Sequence, residues 1–75
     1  MNRQFVQSSD LQSIGYDQNT NVLEIEFKSG GIYQYFKVPE SIYVGLVNAS
    51  SKGTYFHNRI KEHYKYKRIS RGVLK

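Results

Sequence analysis

From Val22 to Lys28 the chain alternates strictly, with Leu23, Ile25 and Phe27 apolar and Glu24, Glu26 and Lys28 charged. A period of two predicts a strand with one apolar and one charged face. Ile32 to Pro39 follows Gly30-Gly31, gathers β-branched and aromatic residues, and stops at the single proline, so it reads as the next strand. Upstream, Ile14 and Tyr16 alternate with small residues across Ser13 to Asp17 and give a third strand. Asp17 to Asn21 is a polar turn, because Asp and Asn bond their own backbone and tolerate left-handed dihedrals. Phe5 and Val6 suit a short first strand at most, since terminal segments fray unless something pairs them.

The hairpin around Ser29-Gly30 has two registers, and they place Tyr33 and Tyr35 on opposite faces. A three-residue loop closed by a left-handed Gly30 pairs Phe27 with Gly31, Ile25 with Tyr33 and Leu23 with Tyr35. The tyrosines then join the apolar face. A two-residue loop pairs Glu26 with Tyr33 and Glu24 with Tyr35, leaving the rings on the charged face. Glycine at the closing position favours the first.

After Pro39 the period lengthens. Ile42, Leu46 and Ala49 share one helical face with Tyr43 and Val47 beside it, and Pro39 suits a first helical turn. Gly45 weakens that helix by about 1 kcal/mol relative to alanine, which suggests close packing against the sheet. Asn48 to Gly53 is a break, with Ser50 or Ser51 capping a second helix from about Thr54 to Tyr64 or Lys65. Phe56, Ile60 and Tyr64 form its face. Beyond Tyr66 the apolar residues Ile69, Val73 and Leu74 are too sparse for an element. The fold class read from this pattern is α+β: a three-stranded antiparallel meander followed by two helices packed on one face. The whole of residues 1–75 reads as one domain, with its core over about 6–68 and a disordered basic tail over 69–75.

Length and composition narrow the picture. A chain of 75 residues buries only about 60% of its unfolded surface. It has no cysteine for staples or thiolate metal sites, so its seven tyrosines and four phenylalanines must supply much of the core. No stretch approaches a membrane span, and Met1 to Phe5 lacks a signal-peptide core. A cytoplasmic protein is expected.

The net charge of +5 is unevenly placed. Residues 1–51 hold three basic against five acidic side chains, whereas residues 52–75 hold eight against one. Such asymmetry points to a polyanionic partner. Lys52, Arg59, Lys61, Lys65, Lys67 and Arg68, interleaved with Tyr55, Tyr64 and Tyr66, form the candidate nucleic-acid surface, cations meeting phosphates while an exposed ring such as Tyr66 stacks on a base. The plain alternative is a solvated helix face with a loose tail. Tyr33 and Tyr35 could form a stacking platform or pack in the core with their hydroxyls at the surface. If they point inward, the exposed sheet face carries Glu24 and Glu26, which repel phosphate. Ser51-Lys52-Gly53 is either a phosphate cradle at a helix start or an ordinary capped turn. His57 and His63 differ by about 120° around an ideal helix and do not converge on one ion. Glu24 and Glu26 share a strand face, but no general acid or pocket accompanies them. Neither a reaction nor a small-molecule substrate nor a cofactor follows from these residues.

Ser8-Ser9, Ser13 to Asp17, Leu23 to Phe27, Tyr33-Gln34-Tyr35, Val38-Pro39, Ala49 to Gly53 and Tyr55-Phe56, in that order, resemble the KTSC domain. That family is named for the carboxy terminus of some lysyl-tRNA synthetases and also occurs as small stand-alone bacterial proteins. Its central mark is a Tyr-x-Tyr motif, matched by Tyr33 and Tyr35. The resemblance implies RNA binding as a suggestion and supplies no catalytic residue. The expectation is a non-enzymatic RNA-binding module. The rival is a protein-interaction module that uses an exposed aromatic patch or an open strand edge.

Overall fold

The computed structural model describes residues 3–70. Strands β1 (Arg3–Phe5), β2 (Leu11–Asp17), β3 (Val22–Phe27) and β4 (Ile32–Tyr35) precede helices α1 (Glu40–Asn48) and α2 (Lys52–Arg59), and β5 (Tyr66–Ser70) follows them. All five strands form one antiparallel sheet in the order β1-β2-β3-β4-β5. The three-strand expectation is therefore corrected twice. A short β1 pairs with β2, and the segment after Tyr64 is a strand on β4, so both helices lie in the β4–β5 connection.

The register of the β3–β4 hairpin is the three-residue form. Leu23 pairs with Tyr35 and Ile25 with Tyr33. The Phe27 amide donates to the Gly31 carbonyl at 2.9 Å, and the loop closes through Gly30 at φ 115°, a conformation that favours glycine. β4 stops at Tyr35, four residues before the proline, because Lys37 takes a positive φ of 59° and turns the chain. On β2, a register shift between Leu11 and Ser13 lets Leu11 and Ile14, three apart, both face the core.

Pro39 is the cap of α1. Leu46 is fully buried, with Ile42, Tyr43 and Val47 packed around it. Gly45 does face a close neighbour, but that neighbour is the Tyr55 ring of α2 and not the sheet. Ser51 caps α2 by accepting the Thr54 amide at 3.3 Å. This helix ends at Arg59, well short of the expected Tyr64. Phe56 accepts the amides of both Ile60 and Lys61, and Glu62 at φ 69° reverses the chain toward β5. Ile60 is still fully buried and Tyr64 still packs on the core.

The core is a single layer between sheet and helices: Leu11, Ile14, Leu23, Ile25, Val38 and Leu46, with Tyr35, Phe56 and Ile60. Tyr16 seals one end, stacked on Tyr43 at 4.9 Å with its hydroxyl donating to the Val38 carbonyl at 2.5 Å. The opposite sheet face carries Glu24 and Glu26, as alternation requires, yet it is not a bare acidic surface. Arg3 forms an ion pair with Glu24, reaches Glu26 at 3.8 Å, and donates from Nε to Ser13 at 2.8 Å. Gln34 donates to Glu24 at 2.9 Å, leaving the Glu24 side chain only 7% exposed. The phosphate-repelling face expected from these two carboxylates is therefore partly neutralised.

Candidate functional site

Antiparallel pairing of β4 with β5 sets Tyr35 against Tyr66 and Tyr33 against Arg68. Residues directly opposite on one face are in side-chain contact range, so three tyrosines and a guanidinium meet there. The Tyr66 ring centroid lies 5.6 Å from those of both Tyr33 and Tyr35. The Arg68 guanidinium sits 5.7 Å from the centre of the Tyr33 ring. Phe27 and Phe56 meet these rings edge-on at 5.6 Å, Phe27 against Tyr33 and Phe56 against Tyr35.

Between these rings and the turn after α2 lies a cleft of about 420 Å³, lined by Phe27, Tyr33, Tyr35, Phe56 and Tyr66. Ser29, Lys61 and Glu62 complete its rim. Tyr35 is its buried floor at 5% exposure, whereas Tyr66 stands up from it at 60%. Burial, and then the neighbouring Tyr33 and Tyr66 hydroxyls, hold the Tyr35 phenol above its ordinary pKa. It is a neutral hydrogen-bonding group at any physiological pH. The choice between core tyrosines and platform tyrosines thus divides by residue: Tyr35 is core, Tyr33 is half-buried, and Tyr66 offers its ring to solvent.

The basic residues do not form one stripe. Lys61 and Arg68 border the cleft, and Lys65 is exposed on the segment entering β5, where its carbonyl accepts the Phe36 amide at 2.9 Å. Lys67 pairs with Gln34, so alternation puts it on the opposite sheet face, beside the Glu24 network. Lys52 lies at the far end of α2 and donates to the Ala49 carbonyl at 3.0 Å. Arg59 lies over the Tyr55 ring at 5.8 Å from its centre, away from the cleft. Lys61 is on a turn, Lys65 on the segment entering β5, and Lys67 and Arg68 on β5, not on a basic helix. Ser51-Lys52-Gly53 is a capped helix entry whose lysine is turned back onto the chain. Among the described residues, no group of three or more His, Asp or Glu side chains is placed to hold a metal. Nor, among them, is any helix long and apolar enough to cross a membrane.

Phe27, Phe56 and Glu62 escaped the sequence reading as site residues. Phe27 and Phe56 are indistinguishable from core positions by period alone. Glu62 reaches the rim only because the helix ends early.

The sequence profile of the KTSC domain matches residues 7–64. The chain belongs to the KTSC domain family. A crystal structure of a KTSC domain protein from Yersinia pestis superposes with a TM-score of 0.90 at 42% identity, covering 92% of this chain and 97% of that one. An uncharacterised protein of Stutzerimonas stutzeri is 44% identical over 70 residues, 92% of this chain and 99% of its own length. A lysine–tRNA ligase of Nostoc sp. is 45% identical over 64 residues, 85% of this chain. The matched stretch spans only 11% of that ligase's length. In this KTSC domain the Tyr-x-Tyr pair, Tyr33 and Tyr35, forms the side and floor of the aromatic cleft.

Proposed function

We propose that this KTSC domain is a non-enzymatic module that binds single-stranded RNA, setting one splayed-out base in the aromatic cleft against the exposed ring of Tyr66. The observation that carries this reading is the Tyr33–Tyr35–Tyr66 cluster with Lys61 and Arg68 at its edge. An aromatic surface that is part open suits a base, and cations beside it suit the flanking phosphates. The similarity to proteins named lysine–tRNA ligase supports an RNA partner by association.

The test is fluorescence anisotropy with a labelled mixed-sequence RNA oligonucleotide over a range of salt. If Lys61, Lys65 and Arg68 each neutralise a phosphate, the log–log slope is about −2, at roughly −0.7 per phosphate. Tyr66→Ala weakens binding at least about fivefold, from a stacking contribution of about 1–3 kcal/mol, while Lys52→Ala leaves it unchanged. Binding that ignores salt, or that survives both Tyr66→Ala and Arg68→Ala, removes the reading. A second reading, a protein-interaction module, rests on Phe5, which is 78% exposed on the edge strand β1. It predicts a molar mass that rises with concentration, or a stable partner lost in Phe5→Ser.

A further inference from the structure

The aromatic cleft does not end at Phe27 and Phe56. A second concavity of about 450 Å³ runs from them toward the start of α2, and the two share Phe27, Ser29 and Phe56. Together they form one trough along α2, whose eight residues span about 12 Å. The two halves differ in chemistry. The second is lined by Asp10, Ser51, Thr54, His57 and Asn58, with no lysine or arginine among its lining residues. Its Asp10 carboxylate lies against Gly53, where a Cβ would come within 2.8 Å of Oδ2. Among the described residues, the side chains of Asp10, Ser29 and Asn58 have no hydrogen-bond partner.

A carboxylate without a cation beside it repels phosphate and accepts hydrogen bonds from neutral hydroxyls. The polar half therefore suits the part of a nucleotide that is neither base nor phosphate. We infer that the polar half of the trough is a ribose site, in which Asp10 and Asn58 hydrogen-bond the 2′-hydroxyl of the nucleotide whose base, or whose neighbour's base, lies in the aromatic half. This rests on the reading of the aromatic half as a base site. It adds that the domain selects RNA over DNA, since the 2′-hydroxyl is the group by which a protein distinguishes them. Aromatic stacking alone is indifferent to the sugar.

The experiment measures affinities for RNA and DNA oligonucleotides of one sequence, with uracil in both, and for the 2′-O-methyl form, against wild type, Asp10→Ala, Asn58→Ala and Tyr66→Ala. Asp10 and Asn58 are exposed, so either variant keeps the fold, and each checks the other. The expected result is that wild type prefers RNA about tenfold, a charge-assisted hydrogen bond being the stronger kind. Asp10→Ala and Asn58→Ala lower that ratio toward one by weakening RNA alone, the 2′-O-methyl form binds like DNA, and Tyr66→Ala weakens all three. Equal binding of RNA and DNA with Tyr66→Ala still weakening both overturns the ribose site and leaves the base site standing. Equal loss of RNA and DNA in Asp10→Ala also overturns it. No binding of any oligonucleotide overturns both readings.

Discussion

Gly45 and Tyr55 allow a test of the helix–helix packing in which a single residue changes the sign of another's effect. Gly45 lies inside α1, where alanine is favoured over glycine by about 1 kcal/mol. A methyl group there would sit 2.6 Å from Cζ of Tyr55 and closer still to its hydroxyl oxygen. The ring cannot yield freely, since it packs against the core on one side and carries the Arg59 guanidinium over its face. Overpacking of this kind costs about 1–3 kcal/mol. Gly45→Ala should therefore destabilise the protein by about 1 kcal/mol net, the steric term exceeding the propensity gain. In a Tyr55→Ala background the obstruction is gone, and the same substitution should stabilise by about 1 kcal/mol. The coupling is then about 2 kcal/mol, within the range seen for residues in contact. Urea denaturation followed by circular dichroism reads each change as a midpoint shift of up to about 1 M, given a typical slope for a domain this small. A Gly45→Ala protein that is more stable than wild type, or the same sign in both backgrounds, would refute the close approach of α1 and α2 at this point.

Arg3→Ala removes the cation from the nearly buried Glu24 carboxylate and should destabilise by about 1–2 kcal/mol. That is less than the 3–5 kcal/mol of a fully buried pair, because Arg3 is 27% exposed and solvent screens it. In a Glu24→Gln background its effect should shrink by half or more; an undiminished effect there would mean that the Arg3 packing, not the charge, matters. Tyr35 supplies a pH test. Its folded pKa is raised, so the unfolded chain loses this proton first, near the ordinary value of about 10. Tyr35 thus contributes full stability below that pH and loses it as pH rises above it. Wild type should lose stability between pH 9 and 11 more steeply than Tyr35→Phe, by urea denaturation at each pH; parallel curves would show that Tyr35 ionises freely.

Much of the sheet was legible because its physics is local. The alternation of Leu23, Ile25 and Phe27 names the core face, and a glycine at the closing position of the hairpin sets the register that turns Tyr33 and Tyr35 inward. The end of α2 was not legible. Ile60 and Tyr64 continue the helical spacing of Phe56 because both reach the same core, but they do so from a turn and not from a helix. β5 was hidden for a related reason. Tyr66 and Ile69 are exposed and Lys67 faces the charged side, so what makes the strand is backbone pairing with β4, a long-range property without a period. The expected disorder of the tail is corrected at Ile69 and Ser70, which are in β5; residues 71–75 lie outside the described residues. The cleft followed from β5. Tyr66 and Arg68 were recognised as candidates, but only the pairing separates them from Lys52, Arg59 and Lys67, which are dispersed over other surfaces.

The placement of both helices between β4 and β5 has a consequence for the newborn chain. The first four strands are neighbours in sequence and can zip together as they leave the ribosome, but β4 keeps one unpaired edge until two helices have been made and folded back. The entropic penalty of waiting is small, since closing a longer loop costs only logarithmically more. The exposure in the meantime is not small, because a central strand spends that interval as an open template for other strands. Tyr66 and Arg68 arrive on the strand that ends this interval. The aromatic cleft is therefore a product of maturation, absent until β5 has been made, and its completion coincides with the closing of the open edge of β4.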